Sequence, residues 1–84
     1  LTATNIETIT GGTGADTVTL GTTIDSSASI DLGDGNDAIT LANGGNADVT
    51  LTNVETITGG TGADTITLGA TVSNGSVNLG AGND

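Results

Sequence analysis

The chain has 84 residues, with ten carboxylates and no Lys, Arg or His, giving a formal charge of −10. It also lacks Phe, Tyr, Trp, Met, Cys and Pro, which excludes a disulfide framework and an aromatic core and leaves only Ile, Leu and Val to fill an interior. The charge argues against nucleic acid and anionic membrane surfaces, whose binding needs Lys and Arg, and no apolar run is long enough to span a bilayer.

Such a polar, Gly-rich composition is also that of disordered chains; periodicity argues for a fold. TVTL (Thr17–Leu20), SIDL (Ser29–Leu32), AITL (Ala38–Leu41) and VTLT (Val49–Thr52) alternate apolar and polar residues. Period two predicts strands with one face inward. The inward set is Val18, Leu20, Ile30, Leu32, Ile39, Leu41, Val49, Leu51, Ile66, Leu68, Val77 and Leu79. The outward set is Thr17, Thr19, Asp31, Thr40, Thr50, Thr65 and Thr67, and β-branched Thr suits a solvated strand. Leu51, Val54 and Ile57 break the alternation; all three can point inward only if the chain bends or bulges near Asn53 and Glu55. No helical period survives the interruptions by Gly, Thr, Asn and Asp.

Asn5–Leu20 (NIETITGGTGADTVTL) and Asn53–Leu68 (NVETITGGTGADTITL) differ only at Ile6/Val54 and Val18/Ile66. After a one-residue deletion, SIDLGDGND (Ser29–Asp37) matches SVNLGAGND (Ser76–Asp84). The repeat is therefore 48 residues long, with unit one at 5–52 and a partial unit two at 53–84. Residues 1–84 read as one segment that starts and stops mid-unit, a window on a longer array. Four turns end on Asp16, Asp37, Asp64 and Asp84, at spacings of 21, 27 and 20 residues. Taken as one circuit each, these predict an all-β parallel β-solenoid (a β-roll or β-helix) of about four coils. On that reading the long step adds a third side to its coil, and like stacks on like: Ile9 over Ile57, Leu20 over Leu68.

The turns carry the chemistry. Adjacent glycines reach backbone conformations closed to other residues, so a GGTGAD turn can aim several carbonyls at one point, and the Asp adds a charged oxygen. An all-oxygen ligand set without His or Cys suits a hard cation; Ca²⁺ takes six to eight oxygens, whereas Mg²⁺ demands stricter geometry and keeps its waters. One turn has too few ligands, but two stacked turns could complete a cage. With no basic side chains, cations from solution must offset the carboxylate repulsion. A metal-free Asx-type turn is the competing reading. A phosphate-binding loop would need a Lys and a following helix, and the chain has no Lys.

GGTGADTVT (Gly11–Thr19) and GGTGADTIT (Gly59–Thr67) match every fixed position of the nonapeptide GGxGxDxUx. LGDGNDAIT (Leu32–Thr40) matches all but the first Gly, and LGAGND (Leu79–Asp84) matches in the same way but is shorter. The chain thus resembles the RTX repeats of secreted bacterial proteins. The resemblance implies Ca²⁺ held between coils of a parallel β-roll by the carboxylates of Asp16, Asp37, Asp64 and Asp84. It also implies carbonyl ligands from turn residues such as Gly11, Thr13, Gly33, Gly59 and Thr61. Family nonapeptides often follow one another directly, whereas here they are spread out. The expectation is therefore one calcium row along one edge, with GTTIDSSAS, ANGGNAD and GATVSNGS opposite. Whether Asp25 or Asp48 builds a weaker site there is left open.

Other residues receive plainer readings. Glu7 and Glu55 are the same position of the repeat and read as surface or bend residues rather than a catalytic pair. Asn5 and Asn53 read as caps or a ladder. Asp31 becomes Asn78 and Asp34 becomes Ala81 in the second unit, which suggests a solvated face. The Thr-x-Thr pairs (Thr8/Thr10, Thr17/Thr19, Thr50/Thr52, Thr56/Thr58, Thr65/Thr67) follow from strand propensity, with an ice-binding face as the functional alternative. Catalysis lacks His, Cys, Lys, Tyr and Arg, and no Ser has a base partner. The expected function is that of a non-enzymatic, secreted bacterial repeat module, rigidified by Ca²⁺ within a surface layer (S-layer), filament or adhesin and able to self-associate through its open ends. The alternative is the calcium-binding secretion tail of an enzyme.

Overall fold

The computed structural model describes residues 2–3, 7–24, 28–70, 72 and 74–84. These contain nine strands: β1 (Thr2–Ala3), β2 (Thr8–Thr13), β3 (Thr17–Leu20), β4 (Ala28–Asp34), β5 (Ala38–Thr40), β6 (Asp48–Thr52), β7 (Thr56–Thr58), β8 (Thr65–Leu68) and β9 (Ser76–Asn78). The odd-numbered strands form a five-stranded sheet in the order β1-β3-β5-β7-β9, and the even-numbered strands a four-stranded sheet in the order β2-β4-β6-β8. Every pairing is parallel. The chain visits the two sheets alternately, so two consecutive strands make one coil. This is the expected parallel β-solenoid, close to the four coils anticipated. Among the described residues there is no helix long and apolar enough to cross a membrane.

The predicted strands are all present, and period two sorts their side chains as expected. Ile30, Leu32, Ile39, Leu51, Ile57, Val49 and Val54 are fully buried, joined in the core by Val18, Leu20 and Leu41. Ile66 and Leu79 pack against this core from partly buried positions. Leu68 and Val77 remain 45% and 52% exposed, because they belong to β8 and β9, the last strand of each sheet. Ile24, Ala28 and Ala47 complete the core; the alternation did not point to them because Ile24 and Ala47 lie outside strands.

The bend inferred from Leu51, Val54 and Ile57 is there. All three are buried, and Asn53 turns the chain with φ of 54°, a left-handed conformation that Asn tolerates better than most residues. The bend is a corner between the two sheets, however, and not a third side. The 27-residue step is not a circuit. Successive coils are related by 21 residues (Thr17 against Ala38), 18 (Ala38 against Thr56), 17 (Asp48 against Thr65) and 20 (Thr56 against Ser76).

The layering also differs from expectation. Ile9 lies beside Ile30, Ile57 beside Ile39 and Val77, Leu20 beside Ala3, and Leu68 beside Leu51. Layers still place aliphatic on aliphatic, but not one repeat on its copy. Asn5, Ile6 and Asp25 lie outside the described residues.

Leu51 sits between Ile30 and Leu68 in its layer. Leu51→Ala should cost about 2–5 kcal/mol in urea unfolding, whereas Leu68→Ala, on a half-exposed end layer, should cost roughly 1 kcal/mol. Equal losses would contradict this assignment of the core.

Candidate metal centre

The two edges of the solenoid are the places where the chain crosses between sheets. At the first edge, the turns following β2, β4 and β6 pass to β3, β5 and β7. At the second edge, the turns following β5 and β7 pass to β6 and β8, and residues 79–84 follow β9. The four motif turns therefore do not form one row. Asp16 and Asp37 share the first edge with Gly11, Thr13 and Gly33. Asp64 and Asp84 share the second edge with Gly59 and Thr61. The reason is arithmetic: β2 in one copy of the repeat corresponds to β7 in the next, five strands or two and a half circuits later. An odd number of half-circuits moves each copy to the opposite sheet and its turn to the opposite edge.

Within each edge the aspartates do the same work. The Asp16 backbone N–H donates to Asp37 Oδ1 one coil away at 2.7 Å. The Asp37 N–H donates in turn to Glu55 Oε2 at 2.8 Å. On the second edge the Ala47 N–H donates to Asp64 Oδ1 at 3.0 Å, and the Asp64 N–H to Asp84 Oδ1 at 3.0 Å. Asp37, Glu55, Asp64 and Asp84 thus each cap an amide at the corresponding corner of the preceding coil, a charge-assisted bond of the stronger kind, whereas Asp16 accepts the Gly12 N–H within its own turn.

Glycine is needed because the turns touch. Gly33 has φ of 87°, and a Cβ there would strike the Gly12 carbonyl oxygen; Gly62, with φ of 125°, would strike that of Gly45. The carbonyl of one coil occupies the space where the next coil would carry a side chain. Oxygen is thereby packed along both edges.

Asp37 and Asp64 are buried, at 1% and 3% exposure, in a chain with no cationic side chain. Burial of a carboxylate is costly unless its oxygens find partners. Asp64 has them: Oδ1 accepts from Ala47 and Oδ2 accepts from Gly60 N–H at 3.4 Å. Asp37 does not, because its Oδ2 is buried without a hydrogen-bond partner. No three acidic side chains converge among the described residues, so a cation here would draw most of its ligands from carbonyls. Oxygen-only donors, tightly stacked carbonyls and an unanswered buried carboxylate oxygen fit a hard cation.

Of the carbonyl residues named by the resemblance, Gly59 is buried, Gly11 and Gly33 half-buried, and Thr13 and Thr61 exposed. Thr61 already accepts the Gly44 N–H through its carbonyl at 3.1 Å and its hydroxyl at 2.9 Å. Asp48 is exposed at the start of β6.

Four contributors escaped the sequence reading. Glu55 lies at its bend, as expected, but its carboxylate continues the first-edge row in a turn with no nonapeptide. Its separation from Asp37 is 18 residues, one circuit, which a two-sided coil would have flagged. Asp31 and Asn78 are not merely solvated: each accepts the N–H of the glycine two residues on, at 3.1 Å. Asn53, read as a cap or ladder, donates its side-chain amide to Asp31 Oδ1 at 2.8 Å. No protein family, curated protein or solved structure matches the chain.

Glu55→Ala should leave the amide of the buried Asp37 unpaired and destabilise the fold by about 1–3 kcal/mol. Glu55→Gln, which keeps an acceptor oxygen, should retain most of that stability. Urea midpoints of the two variants measure the difference, and equal losses would count against the capping role.

Proposed function

We propose that this chain is a non-enzymatic structural segment of a secreted bacterial protein, an RTX-like β-solenoid whose Gly/Asp corners bind Ca²⁺ between coils and stiffen an S-layer, filament or adhesin array. The observation that carries the reading is the buried Asp37 carboxylate, one oxygen unpartnered, in a chain of charge −10 without a basic side chain. Asp16, Asp37, Asp64 and Asp84 would supply charged oxygens and the glycine-turn carbonyls the remainder, as two groups on opposite edges.

The mechanism is metal-linked folding. Where calcium is scarce, repulsion among carboxylates keeps the chain open and exportable. Where it is abundant, the ion binds only the stacked coils, and at about a hundred times its dissociation constant one ion adds roughly 2.7 kcal/mol. The rigid product would self-associate through its open ends. A secretion tail of an enzyme would use the same chemistry; a catalytic domain in the same polypeptide would favour it, and continuation of the 48-residue repeat would oppose it.

A second reading has its own observation. The outer face of the five-stranded sheet aligns Thr2, Thr19, Thr40 and Thr58 with Asn78 in one register column, and Thr17, Thr56 and Ser76 with Ala38 in another. Those columns carry no carboxylate, whereas the opposite sheet carries Asp31, Asp34 and Asp48. Uncharged columns made mostly of hydroxyl side chains, on so acidic a chain, would suit an ordered-water surface such as ice.

Circular dichroism during calcium titration, followed by EDTA, tests the first reading. The β signal and urea midpoint should rise with Ca²⁺ and fall with chelator, and a chain equally β-rich and equally stable in EDTA would overturn the mechanism. Thermal hysteresis of the calcium-loaded protein, abolished by Thr40→Lys, is the expectation for the second reading; its absence in the parent protein would remove that reading.

A further inference from the structure

The two kinds of turn treat their aspartates differently. In the GGTGAD turns, the second glycine turns its N–H back onto the terminal Asp: Gly12 donates to Asp16 Oδ2 at 3.3 Å and Gly60 to Asp64 Oδ2 at 3.4 Å. In the Leu-first turns the corresponding amide goes elsewhere. Gly33 donates to Asp31 Oδ1 and Gly80 to Asn78 Oδ1, both at 3.1 Å. The switch follows one position, two residues before that glycine. It is Thr10 and Thr58 in the GGTGAD turns, but Asp31 and Asn78 in the Leu-first turns. Short Asx side chains accept readily from the backbone two residues on. Once the amide is diverted, the terminal Asp keeps an oxygen free, and in the buried Asp37 that oxygen is the orphan Oδ2. Asp64, buried to a similar degree, has no such oxygen.

We propose that Asp31 is a positioning residue that reserves Asp37 Oδ2 for a divalent cation, so that the first-edge corner takes up Ca²⁺ before the Asp64 corner; this rests on the calcium reading above. At Asp37 the ion meets an oxygen with no bond to surrender. At Asp64 it meets an oxygen that already accepts the Gly60 amide, so the ion competes with that N–H for the same carboxylate oxygen. Asp31 need not touch the ion. Its role is to hold the Gly33 N–H, and it is held in place by the Asn53 amide at 2.8 Å. Asn78 occupies the equivalent place in the second unit and accepts the Gly80 amide in the same way, so an acceptor oxygen suffices and a charge is not required.

The test is calorimetric titration of the whole chain with CaCl₂ alone, read beside circular dichroism. Asp37→Asn and Asp64→Asn assign the binding steps, and loss of the tighter step should follow Asp37→Asn. Asp31→Ala should weaken that step by about tenfold, the usual scale for losing an orienting partner, while Asp31→Asn should restore it. Thr58→Asn should do the reverse at the other edge, drawing off the Gly60 amide and tightening the Asp64 step. That gain does not depend on a damaged variant folding. A parent-like titration of Asp31→Ala together with an unmoved Thr58→Asn would overturn the proposal, as would equal weakening by Asp31→Ala and Asp31→Asn. If the parent chain binds calcium but these variants do not move it, only this inference falls; if the parent chain binds none, the calcium reading falls with it.

Discussion

The structure depends on a bond between a turn carboxylate and the backbone amide one coil away. Each coil contributes a thin layer of two short strands with a few aliphatic side chains, and no coil can bury those alone. Sheet hydrogen bonds join the layers along the flats, but at the corners the ladder ends and amides would be left over. Asp37, Glu55, Asp64 and Asp84 take up those amides. Stacking thus continues around the edges, and acidic charge accumulates there without a basic residue to answer it. The edges are at once the joints of the solenoid and its electrostatic weak points, and it is there that the proposed cation would act.

The second constraint is parity. A two-sided coil of 17–21 residues and a repeat of 48 do not divide evenly. The two and a half circuits per repeat alternate the edge on which a given turn falls. Each edge then receives its own pair of motif turns, and charge is divided between the edges rather than piled on one. Between the pairs, the corners are closed by other means: Glu55 reaches across from a plain bend, and the Asn46 side chain accepts the Ala63 amide at 2.9 Å. The same alternation places the identical Thr-Ile-Thr segments of β2 and β7 on opposite faces, so the two outer surfaces differ through the looser half of the repeat, where Asp31 and Asp48 interrupt one sheet and not the other.

Much of the fold was legible in the residues. Period two in TVTL, SIDL, AITL and VTLT located strands, and their apolar positions are the core positions found. The three-residue spacing of Leu51, Val54 and Ile57 announced the corner at Asn53. Where the reading went astray, the cause was a single assumption, that motif spacing equals circuit length. It produced a third side, a single row of aspartates and copy-on-copy layers, and it concealed Glu55, whose distance from Asp37 is one true circuit.

The sequence by itself determined the elements and their chemistry: strands by alternation, turns by glycine, all-oxygen corners by Asp without His or Cys, and a core without aromatics. These are local properties, written in residues a few positions apart. Tertiary structure alone decided which turn stacks on which, because that depends on how many strands fill one circuit, a global count that no short window contains. It also decided that Asp37 and Asp64 are both buried, so that the local choice of acceptor, made by Asp31 in one turn and absent at Thr58 in the other, leaves an orphan oxygen at Asp37 and none at Asp64. That difference arises because an amide has one hydrogen to give, and the closer acceptor in the folded turn takes it.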